Sequence, residues 1–290
     1  MDTVLRSDEL LVSVNKKGAE LSSIKSASGT ELLWTAETDI WPRHAPVLFP
    51  IVGKLKDNQY ELNGKYYTLP QHGFARDADF ELVKTSTGYA HFRLTQNENS
   101  KNVYPFDFEL NIIYTLEGNT LDTSYSIHNP SAGNILFSIG AHPGFMCPIR
   151  SDETFEDYYL EFEHNAYTIR LLENGLRAEQ TTSLIVPDRK LRLSTTLFSN
   201  DALVFENSQV GEIALRSSKS KYAVVMKCRN WPYFGIWSKK NCREFVCLEP
   251  WHGIADSGSH GGDFEKKEGV IELKKGDTFN CHFSLCFQGP

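Results

Sequence analysis

The sequence has 290 residues, 40% of them hydrophobic and 12% aromatic, so the chain can bury a large core and global disorder is excluded. The net charge of −7 and the pI of about 5.7 provide no positive field for nucleic acid or anionic lipid, and neither partner is expected. Charged residues interrupt the segment 1–14, and no run of about 18 apolar residues occurs. We therefore expect a cytoplasmic protein without a signal peptide or membrane span.

Short segments rich in β-branched and aromatic residues recur along the chain. Their character predicts strands at 10–14, 66–69, 90–94, 106–115, 121–127, 158–162, 222–227, 245–249 and 279–287. Helical periodicity is nearly absent, and the best helical candidate is a single turn at 194–199. No repeat or flexible linker divides the chain, so the pattern predicts one all-β domain over residues 1–290.

Turn residues between these segments predict hairpins. Asn63-Gly64 is the clearest, because both central residues of a type I′ turn need positive φ and this pair tolerates it best. Further hairpin turns are predicted at Asn174-Gly175, Gly118-Asn119 and Lys275-Gly276-Asp277. Together these turns predict an antiparallel meander.

The cysteines raise the question of a disulfide frame or a metal site. Six cysteines in a chain of this length, with no secretory signal expected, predict reduced and mostly buried thiols. The pairs Cys242/Cys247 and Cys281/Cys286 both have C-x4-C spacing, which could suggest a four-thiolate zinc site. Positions five apart in a strand point to opposite faces, so one strand cannot chelate through both thiols. No metal site is predicted.

Three islands, 71–76, 140–145 and 247–252, place ionisable groups beside glycine, proline and aromatic residues where a strand would otherwise continue. The second contains His142-Pro143, and the proline holds the histidine in an extended conformation. With an ordinary pKa of about 6.5, an imidazole can donate or accept a proton near neutrality. The alternative interpretation is a hydrogen-bonded histidine at the end of a strand.

Glu249 ends the third apolar run. Strand periodicity puts it on one face with Phe245 and Cys247, where a carboxylate is costly unless it is paired or functional. Burial there would raise its pKa toward that of a general base. The alternative is a salt-bridged glutamate at the strand end.

The remaining candidates are weaker when taken singly. The first island pairs His72 with Arg76, whose planar donor fork suits hydroxyls or phosphate. Arg43, Lys54 and Asp201 are further candidates, although each is by default a surface charge.

Two long irregular stretches, 41–58 and 251–268, are rich in Gly, Pro, His and charge. Such loops in a β scaffold more often carry function than merely connect strands. Within the second, segment 256–263 is interpreted as a flexible rim, and its two aspartates do not by themselves support a cation site. Aromatic residues at 231–237 could stack on a ligand or simply belong to the core.

Taken together, the islands and their order resemble the aldose 1-epimerase family, and more closely its galactose mutarotase-like branch, the LacX-like proteins. The similarity runs nearly end to end. It rests on Gly18-Ala19-Glu20-Leu21, Ala45-Pro46-Val47-Leu48-Phe49-Pro50 with Gly53, His72-Gly73-Phe74-Ala75-Arg76, His142-Pro143-Gly144-Phe145, Asn200-Asp201-Ala202 and Leu248-Glu249-Pro250-Trp251.

The resemblance implies an antiparallel β-sandwich of the supersandwich type, with a monosaccharide in an open cleft and no cofactor. In the family, a glutamate matching Glu249 removes the proton of the anomeric hydroxyl, and a histidine matching His142 protonates the ring oxygen. The ring opens, the C1–C2 bond rotates, and the ring recloses on the other face. His72 matches a second sugar-contacting histidine, and Asp201 matches a carboxylate that holds ring hydroxyls.

One departure from the family pattern leaves the substrate open. Classical galactose mutarotases carry an arginine after the first proline segment, where this sequence has Lys54, with Arg43 upstream and Arg76 downstream. These cations could instead clamp a phosphate, so a hexose-6-phosphate 1-epimerase is an alternative. An inactive sugar-binding protein and a glycosidase using Glu249 with Asp201 are further alternatives. The protein is expected to be a monomer or homodimer.

Overall fold

The computed structural model describes residues 2–289, and nearly all of their regular structure is β. The strands are β1 (Thr3–Arg6), β2 (Leu10–Asn15), β3 (Glu20–Ser26), β4 (Val47–Leu48), β5 (Gln59–Leu62), β6 (Lys65–Thr68), β7 (Glu81–Ser86), β8 (Tyr89–Thr95), β9 (Glu109–Glu117), β10 (Thr120–His128), β11 (Ile135–Phe137), β12 (Ile139–Ala141), β13 (Gly144–Met146), β14 (Tyr158–Phe162), β15 (Ala166–Glu173), β16 (Leu176–Ile185), β17 (Lys190–Arg192), β18 (Leu203–Phe205), β19 (Glu212–Ser217), β20 (Ala223–Lys227), β21 (Tyr233–Trp237), β22 (Phe245–His252), β23 (Ile271–Leu273) and β24 (Thr278–Gln288). The helical segments are α1 (Glu98–Val103) and 3₁₀ helices at Lys56–Asn58, Ala75–Asp77, Phe155–Asp157, Pro187–Arg189 and Phe264–Lys266. The predicted all-β class is confirmed.

Two large antiparallel sheets form a sandwich. One has nine strands in the order β17-β14-β19-β20-β24-β10-β9-β8-β7, and the other has eight, in the order β16-β15-β18-β21-β22-β12-β4 with β13 paired to β22. Three smaller sheets are β1-β2-β3, β5-β6 and β11-β23. The main hydrophobic cluster contains buried residues of both large sheets, such as Leu248 of β22 and Leu285 of β24. The predicted antiparallel β-sandwich is therefore confirmed.

Three of the predicted hairpin turns join neighbouring strands. Asn63 and Gly64 have φ of 52° and 77° and connect β5 to β6, as a type I′ turn requires. Asn174 and Gly175 join β15 to β16 in the same way, with φ of 54° and 78°. The remaining confirmed hairpin, between β9 and β10, turns at Gly118 with φ of 52°.

Two local predictions were wrong, and one helix was missed. The turn at 275–277 joins β23 to β24, but these strands belong to different sheets, so it is not a hairpin. The segment 194–199 forms turns rather than a helix, with bonds from Leu197 N to Ser194 O and from Ser199 N to Thr196 O, both 3.1 Å. The α-helix lies instead at α1, where Asn97 and Ser100 form a reciprocal capping box.

Strand β22 has a second face that lies outside the main hydrophobic core. Val246 and Leu248 belong to the main core, whereas the alternate residues Phe245 and Cys247 belong to a separate cluster with Trp34. Trp251 belongs to a third small cluster. The period of two along the strand therefore directs Glu249, between Cys247 and Trp251, away from the main core.

Candidate active site

A cavity of about 280 Å³ opens on this face of the eight-stranded sheet. Its lining includes five of the residues singled out in the sequence, from separate parts of the chain: His72, Arg76, His142, Asp201 and Glu249. The volume is near the lower end of typical small-ligand pockets, which begin at about 300 Å³. Both irregular stretches predicted to carry function contribute to the wall, the first through Trp41 and Gly53 and the second through Ile254 and Ala255.

Glu249 is held in the middle of the sheet. It pairs with Gly235 of β21 in the antiparallel register and is 1% exposed. The Trp251 indole lies across the glycines on both sides of β22: a Cβ at Gly235 would be 2.4 Å from the ring, and one at Gly140 of β12 would be 2.8 Å from it. Two glycines thus leave room for the tryptophan that lines the cavity beside the carboxylate.

His142 follows β12 and faces the same carboxylate. Its backbone N–H donates to the Pro46 carbonyl at 3.2 Å, and its Nε2 lies 3.1 Å from Glu249 Oε2. Glu249 Oε2 is buried without a hydrogen-bond partner, so this contact is not aligned as a hydrogen bond. His142 Nδ1, on the other side of the ring, is also buried without a partner. Trp41 packs against the imidazole with tilted ring planes, at a centroid distance of 5.0 Å, and Trp237 meets it edge-on at 5.7 Å.

His72 is held in a strained backbone conformation, with φ of 67°. Its Nδ1 accepts a hydrogen bond from the Gly53 N–H at 3.1 Å, so a neutral ring carries its proton on Nε2. Burial lowers the pKa of His72 well below its usual value, and the neighbouring His142, Arg76 and Arg43 act in the same direction. The two histidine rings are perpendicular, with centroids 5.5 Å apart.

Asp201 and Arg76 complete the polar lining. Asp201 also has a positive φ, 78°, and its Oδ1 accepts the Ala202 N–H at 2.8 Å. Arg76 donates to the Gln71 carbonyl at 2.6 Å, while its Nε is buried without a partner. Burial, with Arg43 nearby, lowers the pKa of Arg76 to about 10. Arg76 therefore remains a cation at neutral pH.

Two predicted ligand-binding cations lie outside the cavity lining. Arg43 lies in a neighbouring hollow, where its guanidinium contacts Asp77 at 3.1 Å. The Lys54 ammonium donates to the Asn174 carbonyl at 3.4 Å. The structure therefore brings together five of the seven predicted site residues and directs Arg43 and Lys54 to other partners.

The Glu249/His142 pair has opposite pKa shifts. Burial raises the pKa of Glu249 well above its usual value, and the charge of Asp201 adds to this increase. Burial lowers the pKa of His142 to about 3, and the charges of Arg76 and Arg43 add to this decrease. Each group is thus favoured in its uncharged form, with the proton on the carboxyl group and a free lone pair on the imidazole. Such a pair can donate a proton at one atom and accept one at another.

The sequence interpretation missed several residues of the site. Trp41, which covers the catalytic candidate His142, lies in the irregular stretch 41–58, but no local pattern distinguishes it from a core tryptophan. Gly53 and Gln71 were not singled out as ligands either, and both line the cavity. Their proximity depends on pairing between distant segments.

The segment 256–263 is held at both ends. Asp256 is 2% exposed; its N–H donates to the Lys54 carbonyl at 2.9 Å, and its carboxylate lies 3.4 Å from the buried Lys267 ammonium. Asp263 caps the helix Phe264–Lys266 and contacts the Lys266 ammonium at 2.6 Å. Both aspartates have ammonium partners, which gives no support to a cation site in this loop.

A different group could hold a cation. His142, Cys247 and Glu249 are all buried, and each offers one ligand atom within 4.8 Å of the others.

Comparison with known proteins identifies the family. The sequence profile described as "Aldose 1-epimerase" matches residues 2–279. The chain belongs to the aldose 1-epimerase family. The chain is also similar to chromosomal Protein LacX of Lactococcus lactis subsp. lactis, with 32% identity over 288 residues, covering 96% of both chains.

Solved structures agree with this membership. A galactose mutarotase related enzyme from Lactobacillus acidophilus is 38% identical, with a TM-score of 0.93, covering 99% of this chain and 97% of that one. A galactose mutarotase-like protein from Lactobacillus casei is 28% identical, with a TM-score of 0.90 and coverage of 99% and 100%. Aldose 1-epimerase membership supports a mutarotase-type isomerase with a small carbohydrate ligand. No helix within residues 2–289 is long and apolar enough to cross a membrane.

Proposed function

We propose that this protein is an aldose 1-epimerase that interconverts the α and β anomers of a free hexose, with Glu249 as base and His142 as acid. The observation that carries the proposal is the 3.1 Å contact between two buried side chains that line the same cavity. A hemiacetal carbon bears two oxygens, the anomeric hydroxyl and the ring oxygen. Two proton-transfer groups this close can each reach one of these oxygens.

The Glu249/His142 pair holds one proton before and after ring opening, although the proton changes its position. Ring opening starts from the carboxylate and imidazolium: Glu249 takes the hydroxyl proton, and His142 gives a proton to the ring oxygen. The result is a carboxylic acid and a neutral imidazole, which is the form that burial favours in the empty cleft. After rotation about C1–C2, reclosure returns both protons. The reaction requires no metal or organic cofactor.

The directions of the two pKa shifts determine which group limits activity on the acid limb of the pH–activity profile and which on the alkaline limb. Activity needs one proton on the pair, so it falls at low pH when both groups are protonated and at high pH when neither is. Because the pKa of His142 is about 3 and that of Glu249 is raised, the acid limb belongs to the imidazole and the alkaline limb to the carboxyl group. This order is the reverse of the one expected from unshifted groups.

The other polar side chains of the cavity would orient the ring. His72 offers an Nε2–H donor, Arg76 offers a cationic fork, and Asp201 accepts hydrogen bonds from hydroxyl groups. These complementary roles suit a ligand that has hydroxyls on several carbons. Trp41, Trp237 and Trp251 supply apolar surface for its C–H faces.

The positions of the cations favour an unphosphorylated substrate over a hexose 6-phosphate. Among the described residues that line the cavity, Arg76 is the only lysine or arginine. Arg43 contacts Asp77, and Lys54 contacts a backbone carbonyl. A phosphate clamp would need at least one of these two to leave its partner.

Polarimetry of freshly dissolved α-galactose and α-glucose tests the proposal. Glu249→Gln and His142→Asn should each lower the rate by about 10²- to 10⁴-fold, the usual contribution of a general acid or base. His128→Asn, on β10 of the other sheet, is the matched control and should retain the rate. Undiminished activity in either cleft variant would remove that residue from the mechanism. Exchange NMR that showed a preference for glucose 6-phosphate over galactose would overturn the choice of substrate.

A further inference from the structure

Cys247 is a buried thiol beside the proton-transfer pair, and the proposed mechanism does not use it. It is 0% exposed and does not line the cavity, whereas His142 and Glu249 do. One ligand atom from each of the three residues lies within 4.8 Å of the others. The cluster thus combines an imidazole, a thiol and a carboxyl group at the base of an open cleft.

The strand register explains why the three side chains meet. Cys247 and Glu249 are two apart in β22 and share a face. Gly144 of β13 pairs with Cys247, and the Leu248 N–H donates to the Pro143 carbonyl at 3.2 Å, so the His142-Pro143 turn lies directly against β22. The cluster therefore belongs to the sheet framework rather than to a loose loop.

The geometry suits a tetrahedral cation such as Zn²⁺. Bonds of about 2.0–2.1 Å to nitrogen and oxygen place such ligands roughly 3.3 Å apart, and His142 Nε2 lies 3.1 Å from Glu249 Oε2. A thiolate–zinc bond of about 2.3 Å places the sulfur roughly 3.6 Å from the other ligand atoms, so the Cys247 sulfur must approach them by up to about 1.2 Å. Glu249 Oε2 is buried without a hydrogen-bond partner, so a cation would satisfy an otherwise unpaired acceptor. A nitrogen, sulfur and oxygen set favours Zn²⁺ over Mg²⁺ or Ca²⁺.

We infer that His142, Cys247 and Glu249 form an inhibitory site for Zn²⁺ and similar divalent cations. The cation binds the Glu249 and His142 lone pairs that transfer protons. Binding releases two protons to solvent, the one held by the Glu249/His142 pair and the one on the Cys247 thiol. The fourth coordination position faces the sugar cleft. Inhibition rests on the proposed epimerase function, whereas cation binding does not.

Cobalt(II) titration tests the site without reference to activity, because a Co²⁺–thiolate bond gives a near-ultraviolet charge-transfer band. The band should form in the wild type and in the matched control Cys242→Ser. Cys242 is a partly exposed thiol that packs against the hydrophobic cluster containing Cys247. The band should be lost in Cys247→Ser, and His142→Asn, which keeps the thiol, should weaken cobalt binding at least about tenfold. Absence of the band in the wild type, or its persistence in Cys247→Ser, would overturn the site.

Zinc inhibition of the epimerase completes the test. Each protein is assayed with and without Zn²⁺ and is compared with its own rate in EDTA. Cys247→Ser should need at least about tenfold more Zn²⁺ for half inhibition than the wild type, and Cys242→Ser should match the wild type. Equal zinc sensitivity in Cys247→Ser would overturn the inhibitory role. A cobalt band in a protein without epimerase activity would support the cation site and reject the proposed function.

Discussion

Lys267 and Asp256 form a buried ion pair behind the cavity wall. Both side chains are 1% exposed, and Nζ lies 3.4 Å from Oδ1. The ammonium also donates to the carbonyl of Ile254, which lines the cavity, and the other carboxylate oxygen accepts the Lys56 N–H at 3.0 Å. The pair therefore joins the segment 254–256 to the rest of the fold.

Lys267→Met should destabilise the protein strongly, because it leaves the Asp256 carboxylate buried without its cation. Breaking such a pair costs about 3–5 kcal/mol. An unfolding entropy of about 2.1 cal/mol/K per residue gives roughly 0.6 kcal/mol/K for this length, so the midpoint should fall by about 5–8 °C. Thermal unfolding followed by circular dichroism measures the shift. Combining the change with Asp256→Asn removes the unpaired charge and should recover part of the loss.

The neighbouring residue provides a matched control. Lys266 contacts Asp263 at the shorter distance of 2.6 Å, but its side chain is 81% exposed. Because solvent screens an exposed pair, Lys266→Met should leave the midpoint unchanged within error. If the two lysine variants unfolded at the same temperature, burial would not be the deciding factor and the reasoning would be refuted.

Two further predictions concern the cavity itself. Asp201→Asn removes a charge that raises the pKa of Glu249, so the alkaline limb of kcat/KM should move to lower pH; an unmoved limb would exclude this coupling. Gly235→Ala would bring a Cβ within 2.4 Å of the Trp251 ring, so it should cost about 1–3 kcal/mol and raise KM for the sugar. Gly133→Ala has nothing within 4 Å and is the control; equal denaturation midpoints and KM values for the two variants would contradict the steric argument.

Local pattern located nine of the 24 strands within residues 2–289, among them the long central strands β9, β10 and β24. The strand predicted at 158–162 coincides with β14, and the Asn63-Gly64 turn forms where both residues need positive φ. The same reasoning failed at 275–277, because a turn sequence specifies the chain reversal but not which sheet each strand joins. Alternation along 245–249 also predicted the shared face of Cys247 and Glu249, which depends only on the period of two.

By itself, the sequence determined the all-β class, three of the hairpins and the chemical character of the islands, since these depend on neighbouring residues. Only the tertiary structure decided that Glu249 and His142 lie 3.1 Å apart, that Trp41 packs against the imidazole, and that Arg43 contacts Asp77 instead of lining the cavity. These contacts join segments far apart in the chain. Their geometry follows from strand register and sheet order, which a local hydrophobic pattern does not specify.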